Sequence, residues 1–193
     1  MAFDFAQAVV KIEERFANTS ETTAYPVLIM ISGLPGTGKS YLARKLAERL
    51  PFVVIETDFV RKTLFPKPTY TAQESGLVHG TCHRLIHKLL NKGVRIIFDA
   101  TNLIEHQREM IYHLAEKAGA KLIIVRAVAP EDAVRERLQR RKEEPAPDGM
   151  SDADWRVYKR MSRRQQRIGR THLIVDTSGD IDQAVSKILR IMK

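Results

Sequence analysis

The eight residues Gly33-Leu-Pro-Gly-Thr-Gly-Lys-Ser40 constrain this chain more than any other stretch. They follow the apolar run Pro-Val-Leu-Ile-Met-Ile-Ser at 26–32 and lead into an amphipathic run from Lys39 to Leu50. A continuous apolar run entered through proline and closed by glycine suits a strand buried on both faces, and the pattern after it is helical. The spacing is G-x-x-x-x-G-K-[ST], and strand, loop, helix is the context in which that spacing builds a phosphate cradle. Glycines let backbone N–H groups curl around a β-phosphate, and the helix N-terminus adds its positive end. Lys39 brings a charge to the β- and γ-phosphates, and the Ser40 hydroxyl is placed to ligate magnesium. The residues expected to contact the cofactor are Gly33, Pro35, Gly36, Thr37, Gly38, Lys39, Ser40 and Tyr41. A chance glycine-rich turn is the alternative, and it would need strand, loop and helix to fall into register by accident. No Asn-Lys-x-Asp guanine signature occurs in the later half, so ATP is expected rather than GTP.

Four further apolar or β-branched runs follow, at 52–57, 94–99, 121–127 and 172–176. Helical recurrences occupy 70–91, 104–118, 130–142, 152–166 and 180–192. Alternation of this kind implies a parallel sheet covered on both sides through right-handed crossovers, the doubly wound α/β class. Phe5, Val9, Ile12 and Phe16 recur at helical spacing, so a helix is expected to precede the main fold and to pack on the outer face of the sheet. A length of 193 residues with 44% apolar content suits one domain, residues 26–193, preceded by a helical extension, 1–25. The Pro- and Gly-bearing stretch 143–149 reads as a flap within a lid at about 137–165.

The single cysteine, Cys82, forms no internal disulfide, which fits a reducing compartment and a cytoplasmic protein. No stretch approaches the ~18 apolar residues of a membrane span, and no membrane partner is expected. The formal net charge of +9 favours anionic partners, among them nucleotides, phosphorylated substrates and nucleic acid. A monomer or weak dimer is expected.

Transfer of a phosphoryl group to a hydroxyl needs a carboxylate near the γ-phosphate to accept the hydroxyl proton. Asp58, ending the second apolar run, is the candidate base, and Arg61 one helical turn on would grip an anionic substrate or orient the carboxylate. A plain helix N-cap would equally account for Asp58. The third run ends in Asp99-Ala-Thr-Asn102, where Asp99 would orient the water shell of magnesium and Thr101 and Asn102 would face the substrate, unless they only form a turn. Arg137 and Arg141 lie four apart on one helix face beside the flap, suited to clamping charge that develops on phosphate oxygens. A solvated helix face is the alternative.

With these residues placed, the chain resembles, over about 26–192, the P-loop kinases grouped around polynucleotide kinase, zeta toxins and gluconate kinase, also described as AAA-type ATP-binding proteins. The resemblance rests on Gly33 to Ser40, Asp58 with Arg61, Asp99 to Asn102, the Arg137/Arg141 pair and Ser151-Asp-Ala-Asp154. It implies a five-stranded parallel sheet of order 2-3-1-4-5 with a helical lid. It also implies Asp58 as general base, Arg61 as a ligand of substrate phosphate, and Thr177, within Asp176-Thr-Ser178, at the adenine. The expected reaction is ATP- and magnesium-dependent phosphorylation of a hydroxyl on a polynucleotide end or a small metabolite. An ATP-binding or ATP-hydrolysing regulatory protein without a hydroxyl acceptor is the alternative.

Two other features carry less. His79, His83 and His87 recur every four residues but flank an apolar stripe, which favours solvent or channel contact over a metal. Arg156, Arg160, Arg163 and Arg167 make a basic stripe whose few aromatic neighbours favour a solvated face over polynucleotide binding.

Overall fold

A computed structural model describes residues 3–16, 21–144 and 151–192. The flap expected at 143–149 lies largely outside the described residues, and so does part of the lid around it. Five strands, β1 (Val27–Ser32), β2 (Val53–Glu56), β3 (Ile96–Asp99), β4 (Lys121–Val128) and β5 (Leu173–Asp176), form one parallel sheet in the order β2-β3-β1-β4-β5. The sheet class and strand order are those expected. Helix α1 (Phe5–Glu13) and a 3₁₀ turn (Glu14–Phe16) come first. Next are α2 (Lys39–Ala47), α3 (Thr57–Leu64), α4 (Ala72–Asn91), α5 (Glu105–Lys117), α6 (Glu131–Glu143), α7 (Trp155–Ser162) and α8 (Asp182–Met192).

Period-two alternation splits the strand residues between two cores. Leu28 and Met30 of β1, Ile96 and Phe98 of β3 and Ile124 of β4 face one cluster with α4 and α5. Val27, Ile29, Ile31, Ile97 and Val125 face the other, with α2 and α8. Every residue of β1 is buried, as its unbroken apolar run requires of a central parallel strand. A third cluster, Leu34, Leu103, Val134, Leu138 and Tyr158, seats α6 and α7 beside the glycine-rich loop.

Three expectations change. The second strand stops at Glu56, and Thr57 and Asp58 already belong to α3, whose extended N-cap residue is Glu56. Asp58 is therefore not the N-cap. The helix expected at 152–166 ends at Ser162, because the chain beyond it runs alongside the β3 end: Gln166 N–H donates to the Leu103 carbonyl at 2.9 Å. Finally, α1 packs on α3 and α4 rather than on the sheet, and Val9, Ile12 and Phe16 join the same buried cluster as Leu28 and Met30.

Fully buried Arg108 on α5 ties these parts together. Its guanidinium donates to Glu105 Oε2 at 2.6 Å and to the carbonyls of Asn102 at 2.7 Å, Gln166 at 3.1 Å and Arg167 at 2.7 Å. Among the described residues, no helix is long and apolar enough to cross a membrane.

Candidate active site

The site lies where β1, β2 and β3 end, as expected for an open parallel sheet. Gly33 N–H donates to the Thr101 carbonyl at 3.1 Å, and the Asn102 amide donates to the Ile31 carbonyl at 2.7 Å, so the ends of β1 and β3 are joined. From there the loop 33–38 curls into α2, with Gly36 at φ 80° and Gly38 at φ 77°. Gly38 also approaches β5 closely, and a Cβ there would sit 2.5 Å from Thr177 Oγ1. Thr177 braces the loop by donating from Oγ1 to the Thr37 carbonyl at 2.9 Å. Arg137 closes the brace, donating to Thr177 Oγ1 at 3.0 Å, to the Thr177 carbonyl at 2.6 Å and to the Gly36 carbonyl at 3.3 Å.

Inside this frame Lys39 Nζ donates to the Leu34 carbonyl at 3.1 Å. Burial pushes the Lys39 amine below its ordinary pKa, while Asp99 and Asp58 pull it back up and Arg141 lowers it further. Asp99 is buried at the end of β3, where burial raises its pKa against the Lys39 charge and a hydrogen bond with Ser40. Glu56 stands beside Asp99 in strand register, its pKa raised first by burial and then by Asp99. Asp58, in the first turn of α3, completes a wall of three carboxylates facing one lysine.

These groups line a single cleft of about 760 Å³. Pro35, Gly36, Gly38, Lys39, Ser40 and Tyr41 form its floor, and Asp58, Asp99 and Thr101 lie on one side. Arg137, Arg141 and Thr177 line it as well. Gly33 and Thr37 lie behind this surface, the Thr37 hydroxyl turned to the Leu34 carbonyl at 2.8 Å. Two expected substrate contacts lie away from the cleft. Asn102 is buried at φ 44°, its amide spent on β1. Arg61 is buried and ion-paired with Glu74, donates to Ser75 Oγ at 3.2 Å and lies beneath the Tyr70 ring at 4.9 Å. The Arg61 guanidinium, one turn from Asp58, is turned to α4, the helix against which α3 packs.

Among the charged lining residues, Glu56 and Arg44 were missed by sequence reasoning. A carboxylate two positions before Asp58 on a strand was the available signal for Glu56, but its place beside Asp99 depends on β2–β3 register. The Ser40 hydroxyl and Asp99 carboxylate, bonded to each other, are hard oxygen donors that fit magnesium. No group of three or more His, Cys, Asp or Glu among the described residues forms a metal cage, so phosphate and water oxygens would fill the remaining positions.

His79 and His83 lie outside the cleft with ring centroids 6.1 Å apart, and burial holds both below the ordinary histidine pKa, His79 at about 4. The basic stripe is only partly helical. Arg156, Arg160 and Arg163 line a separate groove of about 470 Å³, with Arg163 and Arg167 lying past the end of α7. Trp155 in that groove is stacked on Tyr158 and covered by Lys159, 4.9 Å from the ring centroid.

Comparison with known proteins adds lineage to this geometry. An uncharacterized protein of Mycobacterium tuberculosis (strain ATCC 25618 / H37Rv) is 30% identical over 178 residues, which is 86% of this chain and 34% of that protein. Rat 6-phosphofructo-2-kinase/fructose-2,6-bisphosphatase 1 is 26% identical over 132 residues, 59% of this chain and 28% of that one. The chain thus spans about a third of the length of the curated relatives it matches. The Mycobacterium tuberculosis APS kinase CysC, solved in complex with AMPPNP and APS, superposes with a TM-score of 0.65 at 17% identity, covering 88% of this chain and 99% of that one. The P-loop kinase resemblance read from the sequence therefore holds at the level of fold. The family model for the AAA domain matches residues 28–168, from β1 past α7, and the chain belongs to that family.

Proposed function

We propose that this protein is a phosphotransferase that moves the γ-phosphoryl group of ATP to a hydroxyl acceptor, a small metabolite or a polynucleotide end. The observation that carries the reading is the wall formed by Asp58, Glu56 and Asp99 across one cleft from Lys39 and the loop amides. Asp58 at this cleft is the carboxylate that the reading needs to accept the proton of a hydroxyl. The names of the rat relative and of the APS kinase, both kinases, support the same reading.

In the proposed reaction the loop N–H groups and Lys39 hold the β- and γ-phosphates. Asp58 takes the proton of the acceptor hydroxyl as its oxygen bonds to the γ-phosphorus, and the bond from that phosphorus to the β–γ bridging oxygen breaks to leave ADP. Arg141 is exposed on the rim and its charge acts on Lys39, so it can meet charge that develops on the transferring group. Arg137, fixed by its three bonds, stiffens the nucleotide wall beside Thr177. Magnesium, when held by Ser40 and oriented by Asp99, would neutralise phosphate charge.

The test is a panel of hydroxyl compounds incubated with Mg-ATP, scored for phosphorylated product against free phosphate. Asp58→Asn should lower transfer by roughly 100-fold to 10,000-fold and leave nucleotide affinity unchanged. Phosphate release without product across the panel, or full transfer by Asp58→Asn, overturns the reading.

A further inference from the structure

Tyr70 holds a backbone conformation that L-residues rarely take. Its φ is 55°, and among the described non-glycine residues only Asn102 shares the left-handed region. The Glu74 carboxylate holds the turn, accepting from Thr69 N–H at 2.7 Å, the Thr69 hydroxyl at 2.8 Å and Tyr70 N–H at 3.3 Å. Glu74 is in turn paired with Arg61, whose guanidinium lies 4.9 Å from the centroid of the Tyr70 ring. The arginine that the sequence offers to an anionic substrate thus supports a tyrosine instead. A strained residue persists only where its surroundings over-determine it, and here they fix the direction of the ring.

That direction is towards Asp152. The Tyr70 hydroxyl donates to Asp152 Oδ2, and Lys62 Nζ donates to Asp152 Oδ1 at 2.9 Å, so each oxygen of one carboxylate has its own donor. Lys62 lies one turn along α3 from Asp58, and Tyr70 stands two residues before α4. Asp152 belongs to a different part of the chain, the segment 151–154 that leads into α7, where Asp154 accepts from Val157 N–H at 2.8 Å as the N-cap. Helix α7 is seated on α6 in the cluster of Val134, Leu138 and Tyr158. The segment is therefore fastened at one end to the helix that carries Asp58 and at the other to the helix pair that carries Arg137 and Arg141.

Ser151, directly before Asp152, lines the cleft together with Glu56, Thr57 and Asp58. A serine hydroxyl both donates and accepts, so it can bond the hydroxyl of an acceptor or a neighbouring polar group on it. An exposed ion pair alone holds a chain weakly. A phenol and an ammonium converging on one carboxylate supply two charge-assisted bonds from two directions.

We infer that Ser151 is an acceptor-binding residue and that Asp152 is the positioning residue that holds it in the cleft through Tyr70 and Lys62. The acceptor contact rests on the phosphotransferase reading; the hold of Asp152 on the position of Ser151 does not.

Mn-AMPPNP tests the hold without any acceptor, because manganese bound in place of magnesium broadens the NMR signals of amides close to it. The Ser151 amide should be broadened in the wild type. Tyr70→Phe and Asp152→Ala should each reduce that broadening severalfold and leave that of Thr101 unchanged. The double variant should go no further than Asp152→Ala, since Tyr70→Phe removes a bond already lost. Asp152→Asn, which still accepts from the Tyr70 hydroxyl, should keep part of the broadening, and Glu116→Gln, which breaks an exposed pair with Arg170, all of it. In the transfer assay, Ser151→Ala and Asp152→Ala should raise KM about 3-fold to 10-fold for whichever hydroxyl compound is phosphorylated, with KM for ATP unchanged. Ser151 broadening that the wild type lacks, or that Tyr70→Phe and Asp152→Ala leave intact, overturns the positioning role and leaves the phosphotransferase reading standing. An unchanged KM for the compound in Ser151→Ala overturns the contact. A panel with no phosphorylated compound removes the phosphotransferase reading and the contact together.

Discussion

Gly38 has room for nothing larger than hydrogen. Its φ of 77° costs an L-residue about 1–2 kcal/mol, and a methyl group would also meet Thr177 Oγ1 at 2.5 Å. Gly38→Ala should therefore displace the loop from β5 and weaken nucleotide binding at least tenfold, measurable with a fluorescent ATP analogue, while the sheet stays folded. Glu74 gives the pH counterpart. Burial opposes its ionisation, yet donation from Thr69 N–H, the Thr69 hydroxyl, Arg61 and Tyr70 N–H holds its pKa at about 2, against an ordinary 4.5. A carboxylate depressed in the folded state contributes stability that is complete above its unfolded value and is lost as pH falls through its folded one. Urea unfolding at a series of pH values should therefore show the stability gap between wild type and Glu74→Gln closing as pH falls from 4.5 towards 2.

Among the elements, α1 is anchored as deeply as the strands. Ile12 is fully buried in the cluster that contains Leu28 and Phe98, so Ile12→Ala should destabilise the whole domain by about 2–5 kcal/mol. A single cooperative transition, moved to lower denaturant, is the expected outcome; separate melting of α1 at unchanged domain stability would contradict it. That depth of packing was not legible in the sequence, where the apolar stripe of α1 announces a covered face but not what covers it. The strands were legible for the opposite reason: a buried parallel strand is an unbroken apolar run whatever lies beside it. Helix α3 was only half visible, since eight residues starting directly from a strand leave no loop to mark the change. The place of Asp58 in the cleft could be read locally. The partner of Arg61 could not, because Glu74 lies thirteen residues away on another helix. Glu56 escaped for the same kind of reason, its neighbour Asp99 being set by register.

Across the whole molecule, the two ends of the chain's functional machinery meet at the carboxyl edge of the sheet. The loop after β1, α6 and the turn after β5 line part of the cleft, while β2 and α3 contribute Glu56 and Asp58 to it. Between them, Arg108 fastens Gln166 and Arg167 to the end of β3 from a position without solvent contact. Those carbonyls act as a nailed hem: the chain downstream of α7 is stitched to the sheet before it turns into β5. Only three residues, Arg163 to Gln165, separate the end of α7 from that seam, so the helix is held to the sheet on a short tether.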